Sequence, residues 1–275
     1  ADHRVIELNR AAATIAKGVA ERAGRPIVVA GSIGPTGEIL KPVGLVDASD
    51  AGLAFQEQAT ALAAGGADVL WLETMSSTEE MRAAALAAAT TGLPVVATMT
   101  FDTNGSTMMG FSPQQFVDLY LELVPGLVAF GANCGIGAAD LVGALMAMRQ
   151  QATHGEILVA KGNCGIPQFV DGEIHYSGTP ELMSEYARLS RDIGVRIIGG
   201  CCGTTPNHLE AMRIALESHQ KNDVPDIDTV VGELGPITEG TRARCSDVPD
   251  SPETLSLIHI SEPTRRYAIS YAVVC

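Results

Sequence analysis

Residues 195–212, VRIIGGCCGTTPNHLEAM, contain in one piece the pattern that repeats along the chain. A short apolar run, 195–200, leads into a loop rich in glycine and cysteine, and a helical pattern begins at Pro206. Thr205 is a good helix-capping residue, and proline suits the first helical position that follows it. The stretch therefore predicts a buried strand, a loop and a helix.

Six such units are visible along the chain. The predicted strands are 26–31, 67–73, 93–100, 127–133, 157–162 and 195–200, and the predicted helices after them are 51–64, 78–91, 113–123, 138–151, 180–192 and 206–218. An opening helix, 4–23, precedes the first strand. Near-continuous apolar strands that alternate with helices indicate βαβ units in a parallel sheet buried on both faces.

The predicted fold class is α/β, a (β/α)8 TIM barrel. A closed barrel needs eight strands, so we expect the chain to be N-terminally truncated and, by itself, poorly soluble or inactive. An open doubly wound sheet is the alternative architecture, but no G-x-G-x-x-G opens a helix here.

Composition excludes several classes of protein. The chain has 275 residues, of which 46% are hydrophobic, enough for a large core. The formal net charge is −14 and no basic patch is present, which argues against a nucleic-acid partner. No apolar run approaches the roughly 20 residues that span a bilayer. We expect a cytoplasmic protein that binds small molecules and no membrane; the sequence gives no basis for an oligomeric state.

Three thiols and a carboxylate follow predicted strands at the end where barrel enzymes carry their chemistry. Cys134 ends one strand, Cys201 and Cys202 end another, and Glu73 ends a third. Three thiolates that leave one coordination position open make a plausible catalytic zinc site. A vicinal redox pair beside an unrelated buried cysteine is the alternative, since the chain has no C-x-x-C.

Five segments resemble the homocysteine S-methyltransferase family, and its bacterial betaine–homocysteine methyltransferase-like branch above all. They are GSIGPTGEIL (31–40), ADVLWLET (67–74), FGANCGIGAADL (130–141), AKGNCGIPQFVDGEIHY (160–176) and IIGGCCGTTPNHLEAM (197–212). The resemblance runs from about residue 4 to about residue 235. The family's first strand, rich in Asp and Gly, has no counterpart in the chain.

The resemblance implies the roles of the residues at the strand ends. Cys134, Cys201 and Cys202 would bind Zn²⁺ and act in catalysis by activating the homocysteine thiol. Glu73 would hold the homocysteine amino group. Asn133 and Asn163, which also end strands, are further candidates for substrate binding or for orienting a neighbouring group.

The implied function is transfer of a methyl group from a small onium donor to the thiol of L-homocysteine, which gives L-methionine. Betaine is the favoured donor and S-methylmethionine the next. A first alternative is the homocysteine-binding module of a cobalamin-dependent methionine synthase; a second is an inactive fragment or an unrelated zinc barrel enzyme. Residues 1–245 would form the homocysteine-binding barrel domain, incomplete at its N-terminus.

The remaining predictions concern single residues and the tail. Cys164 is expected to be a small buried side chain, and His208 is expected to have a surface or helix-capping role. His175 and Tyr176 are placed in a loop; Tyr176 and Phe169 are candidates to contact a quaternary ammonium group. Residues 246–275 are expected to be a non-native, disordered tail, because SLIHISEPTRRYAIS resembles translated adaptor sequence and continues no pattern.

Overall fold

A computed structural model describes residues 4–123, 126–152, 155–170, 172–245 and 273–274. The strands are β1 (Val29–Ile33), β2 (Val69–Met75), β3 (Val95–Met99), β4 (Leu127–Cys134), β5 (Leu158–Gly162), β6 (Pro167–Val170), β7 (Glu173–Tyr176), β8 (Ile197–Gly200) and β9 (Val273–Val274). The helices are α1 (Val5–Arg22), α2 (Ala48–Ala64), α3 (Thr78–Ala89), α4 (Pro113–Leu123), α5 (Ala138–Gln151), α6 (Pro180–Ile193), α7 (Pro206–Ser218), α8 (Ile227–Leu234) and α9 (Glu239–Cys245).

The main sheet contains six parallel strands in the order β8-β5-β4-β3-β2-β1. Each of these strands pairs with the next one of the six along the chain, and the order never reverses. A doubly wound sheet would reverse its strand order at a switch point. The sequential order therefore favours the barrel type of winding over the open-sheet alternative, and the six strand–helix units confirm the predicted fold class.

The two faces of the sheet are buried in different ways. Side chains on one face, such as Leu70, Leu72 and Phe130, belong to the large core that the sheet forms with the helices. The opposite face, here called the inner face, carries a small separate cluster: Ala30, Trp71, Val96, Ala129 and Val159. Because successive residues of a strand point to opposite faces, two buried faces require the nearly unbroken apolar runs seen in the sequence.

Helix boundaries follow the capping chemistry that the sequence predicts. The Ser77 side chain accepts a hydrogen bond from the backbone N–H of Glu80 (3.2 Å), so α3 begins at the predicted residue. Glu80 does not complete a capping box with Ser77, because its carboxylate accepts instead from Thr36 N (2.7 Å). Gly66 and Gly194 take positive φ of 99° and 103° between a helix and the next strand, a conformation that favours glycine.

The first predicted strand, 26–31, is displaced. In the structure β1 is Val29–Ile33, three residues later at its start. The Asp68 carboxylate accepts a hydrogen bond from Val29 N (2.9 Å), which fixes where the ladder begins. Val28, just before the strand, is 56% exposed. The apolar run thus extends beyond the paired residues at one end, and the pattern alone does not show where pairing starts.

Three features lie outside the repeat that the sequence analysis recognised. The strands β6 and β7 form an antiparallel hairpin, so the loop predicted for His175 and Tyr176 is wrong. Helices α8 and α9 follow the last unit, and α9 packs on α5. Of the predicted tail, Val273 and Val274 pair antiparallel with β1. Residues 246–272 and residue 275 lie outside the described residues, so the nature of the tail stays a prediction.

Candidate metal centre

The three predicted cysteines lie together at the carboxyl end of the sheet. The Sγ–Sγ distances are 3.6 Å for Cys134 and Cys202, 3.7 Å for Cys134 and Cys201, and 4.0 Å for Cys201 and Cys202. Sulfurs that share a tetrahedral zinc at about 2.3 Å are about 3.8 Å apart. Among the described residues, this is the group of His, Cys, Asp and Glu side chains placed closely enough to hold one metal ion. The donor set therefore fits zinc.

Unusual backbone angles bring the sulfurs to one point. Cys134 has φ of +61°, a left-handed conformation that costs a non-glycine residue about 1 kcal/mol or more, and Gly135 beside it has φ of +79°. Cys201 follows the last residue of β8 and donates its N–H to Gly162 O (2.7 Å). Gly203, with φ of +77°, then turns the chain away. In a regular strand, two adjacent side chains point to opposite faces. Cys201 and Cys202 can face one site because both lie after the end of β8.

Asn163 braces the two cysteine loops against each other. It is 3% exposed and follows directly after β5, between the two loops. Its Nδ2 donates to Gly135 O (2.7 Å), next to Cys134, and its Oδ1 accepts from Cys202 N (3.1 Å). One amide side chain thus fixes the distance between segments that come from strands β4 and β8.

Asn133 is engaged with the neighbouring strand end. Its Oδ1 accepts from Thr74 N and its Nδ2 donates to Thr74 Oγ1, both at 2.8 Å. The same Nδ2 lies 4.0 Å from Cys201 Sγ. Asn133 is 1% exposed. In this arrangement it orients Thr74 and a metal-site sulfur, and direct substrate contact remains a prediction.

Glu73 follows the core residue Leu72 on β2 and therefore lies on the inner face, where it is paired with two side chains that the sequence did not point to. One carboxylate oxygen accepts from Ser32 Oγ, and the other forms an ion pair with Lys161 Nζ. Burial lowers the pKa of Lys161, but the charges of Glu73 and Cys201 outweigh that effect, so its pKa is raised and the ammonium stays charged. A lysine inside the otherwise apolar strand LVAKG was the available signal.

Two of the three thiols, Cys134 and Cys201, have raised pKa values. The pKa of the Cys134 thiol is raised, because Cys134 shares hydrogen bonds with Cys201 and Cys202 and is largely buried. The pKa of Cys201 is raised as well: the hydrogen bond with Cys134 lowers it, but the one with Cys202 and burial outweigh that effect. Sulfurs this close lose their protons together only when positive charge is brought among them.

The hairpin of β6 and β7 stands beside the cysteines. The ring of Tyr176 packs on Gly203, where an added Cβ would lie 2.4 Å from the tyrosine Cγ. Burial, together with the charge of the nearby Cys202 sulfur, raises the pKa of Tyr176 to about 12. Cross-strand pairing places Phe169 and Ile174, 76% and 61% exposed, on the same face as Tyr176. An aromatic and apolar surface therefore adjoins the candidate metal site.

Cys164 and His208 have structural surroundings, in agreement with their predicted roles. Cys164 is 1% exposed, and its Sγ donates to Gly178 O (3.2 Å). His208 forms a capping box with Thr205, since its Nδ1 accepts from Thr205 N (3.0 Å), and its Nε2 contacts Gly178 O (3.3 Å). Both residues support the loops that carry the cysteines.

No helix among the described residues is both long enough and apolar enough to cross a membrane.

Comparisons with known proteins give one consistent family. A family model described as homocysteine S-methyltransferase matches residues 1–216. The methionine synthase of Mycobacterium tuberculosis is 30% identical over 224 residues, which cover 78% of this chain and 18% of that protein.

Solved structures of the homocysteine methyltransferase MmuM from Escherichia coli are similar in fold. Its apo form is 25% identical, with a TM-score of 0.56, over 72% of this chain and 65% of that chain. Its metallated form is 26% identical, with a TM-score of 0.53, over 72% and 64%. The chain thus spans less than two thirds of the length of these relatives.

Proposed function

The chain belongs to the homocysteine S-methyltransferase family, and on that premise we propose that it is the homocysteine-binding part of a zinc-dependent methyltransferase that makes methionine. The observation that carries the proposal is the group of three sulfurs, 3.6–4.0 Å apart, at the carboxyl end of the sheet. The metallated form of the MmuM structure supports a metal in a related protein.

The proposed reaction is a direct methyl transfer. The homocysteine sulfur forms a bond to the methyl carbon while the bond from that carbon to the donor's onium atom breaks, and the onium atom leaves with the electron pair. A free thiol is a weak nucleophile, since the thiolate is the reactive form. Zinc held by Cys134, Cys201 and Cys202 would supply the positive charge that keeps the bound homocysteine thiol deprotonated. The protein then has to align sulfur, methyl group and leaving atom.

Glu73 is proposed to bind the ammonium group of homocysteine. Its carboxylate lies on the inner face below the sulfurs, and its side chain is 16% exposed. A carboxylate accepts about four hydrogen bonds, and the structure uses one position on each oxygen, for Ser32 and Lys161. Acceptor positions for a substrate ammonium therefore remain.

The methyl donor is proposed to be a small onium compound, with betaine first and S-methylmethionine next. Aromatic rings attract such cations through their faces. Tyr176 lies beside Cys202, and Phe169 stands on the same face of the hairpin.

A second candidate function is the homocysteine-binding module of a larger, cobalamin-dependent methionine synthase. It is favoured by the match to the methionine synthase of Mycobacterium tuberculosis, in which the similar region covers 18% of the protein. The same sulfurs and the same Glu73 would serve homocysteine in both cases, and the source of the methyl group would differ.

A methionine-forming assay separates these candidates. The purified protein is loaded with zinc and incubated with homocysteine and, separately, betaine, S-methylmethionine, S-adenosylmethionine or methylcobalamin. We expect methionine with betaine, and loss of both zinc and activity in Cys202→Ser. The matched control is Cys245→Ser. Cys245 is not one of the three cysteines of the site, and its Sγ donates to Gly143 O. Full zinc and full activity in Cys202→Ser would refute the site, and methionine formed from methylcobalamin alone would favour the module.

A further inference from the structure

The ion pair of Lys161 and Glu73 crosses the inner face of the sheet. Lys161 is on β5 and Glu73 on β2, and the strands β3 and β4 lie between them in the sheet order. The Lys161 side chain is 8% exposed, and its Nζ lies 5.4 Å from the centre of the Trp71 ring. The Trp71 indole is fixed in turn by its hydrogen bond to Thr98 Oγ1 (3.0 Å). The lysine is thus held over an aromatic platform and reaches Glu73 from the side.

Stability does not account for this pair. Removing two charges from water costs free energy that their attraction often fails to recover, and apolar residues of similar volume are frequently as good or better. The surrounding inner-face residues Ala30, Val96 and Val159 show that apolar side chains suit this surface. A lysine here, one layer below the cysteines, therefore points to a role in the site.

Lys161 and Ser32 together fix both oxygens of the Glu73 carboxylate. Ser32 bonds one oxygen and Lys161 the other, so the plane of the carboxylate cannot rotate freely about the last side-chain bond. Lys161 also offsets the negative charge of Glu73, which would be unfavourable if it were buried without a partner. A carboxylate held in this way keeps its open acceptor positions in one direction.

We propose that Lys161 is a positioning residue for substrate specificity: its ammonium holds Glu73 in the orientation that receives the α-ammonium of homocysteine. The inference rests on the proposed function, since it assumes homocysteine as the ligand. It goes beyond that function because it assigns the preference for a thiol with an α-amino group to the pair of Lys161 and Glu73, and not to Glu73 alone.

The test compares two thiols that differ in one group. Homocysteine and 4-mercaptobutyrate, which lacks only the amino group, are titrated calorimetrically into the zinc-loaded protein. The preference for homocysteine is the ratio of the two Kd values. We expect Lys161→Met to reduce this preference about tenfold or more, the loss of one charge-assisted hydrogen bond. Glu73→Gln should reduce it similarly, and the double variant should show no further loss.

Controls make the result specific. Lys17→Met removes the lysine of another ion pair, to Asp68 at 2.6 Å, and should leave the preference unchanged. Lys161→Gln keeps a polar side chain at the buried position and should show the same loss if Lys161→Met does not fold. If the Lys161 variants keep the wild-type ratio of Kd values, even with both thiols bound more weakly, the proposal is overturned. A reduced ratio in Glu73→Gln would still support Glu73 as the site that binds the homocysteine ammonium. An unchanged preference in Glu73→Gln as well would remove Glu73 as the ammonium site, and the role of Lys161 with it.

Discussion

The brace formed by Asn163 gives the sharpest prediction about how the metal site is held. Asn163→Ala would remove the acceptor for Cys202 N and the donor for Gly135 O in one step. Each buried backbone group left without a partner costs about 1–3 kcal/mol. Because both groups lie in loops that water can enter, the lower half of that range, about 1–2 kcal/mol, applies to each group, so the total is about 2–4 kcal/mol. If this cost falls entirely on the metal-bound arrangement of the loops, zinc affinity falls about 30- to 900-fold.

The matched control is Asn9, another buried asparagine with hydrogen bonds in both directions. Its Nδ2 donates to Val5 O (2.9 Å), and its Oδ1 accepts from Gln58 Nε2 (3.1 Å), in a helix that does not carry the cysteines. Zinc affinity is measured by competition with a chromophoric chelator, and Tm by circular dichroism. Both variants should lower Tm, and only Asn163→Ala should weaken zinc. Zinc affinity within twofold of wild type in Asn163→Ala would refute the brace.

Three further predictions follow from the same geometry. Gly203→Ala should destabilise the protein by about 2 kcal/mol or more in chemical denaturation and release zinc, because it combines a positive φ with a Cβ 2.4 Å from the Tyr176 ring; wild-type stability would contradict this. Because the pKa values of Cys134 and Cys201 are raised, zinc uptake should release at least these two protons, and the apparent affinity should rise by at least about 100-fold per pH unit near neutrality, a factor of ten for each proton; a pH-independent affinity would argue against these ligands. Tyr186→Phe should cost about 1–2 kcal/mol, since the hydroxyl joins β5 to β8 by accepting from Gly162 N and donating to Gly199 O; an unchanged unfolding midpoint would show that the link is dispensable.

The sequence predicted the repeat well because burial on both faces imposes a simple pattern. Helices that begin at a capping residue and a proline, such as Pro180 and Pro206, start where predicted. Strand ends were less accurate, since the ladder of β1 depends on the Asp68 side chain, 39 residues away along the chain. The hairpin was missed because its residues, FVDGEIHY, carry a turn signal but no continuous apolar run.

The candidate site divides in the same way. The cysteines were found because strand ends that carry Cys beside Gly are distinctive, and the structure brings the three together. Lys161 was not singled out, and Asn163 was named only as a residue that could orient substrate or a neighbouring group, because their contacts reach across the sheet and no local spacing reveals them. The charged lysine inside an apolar strand was nevertheless a visible exception to the pattern. Such exceptions are expected at functional sites, where the charged group has a partner.

X-ray absorption at the zinc K-edge, recorded without and with homocysteine, tests the central claim most directly. The account predicts a zinc bound by three sulfurs and one lighter atom in the free protein, and by four sulfurs, at about 2.3 Å, when homocysteine is added. Cys202→Ser should lower the sulfur count by one or abolish binding. A sulfur count that homocysteine leaves unchanged would contradict the claim that these three cysteines hold the metal that activates the substrate thiol.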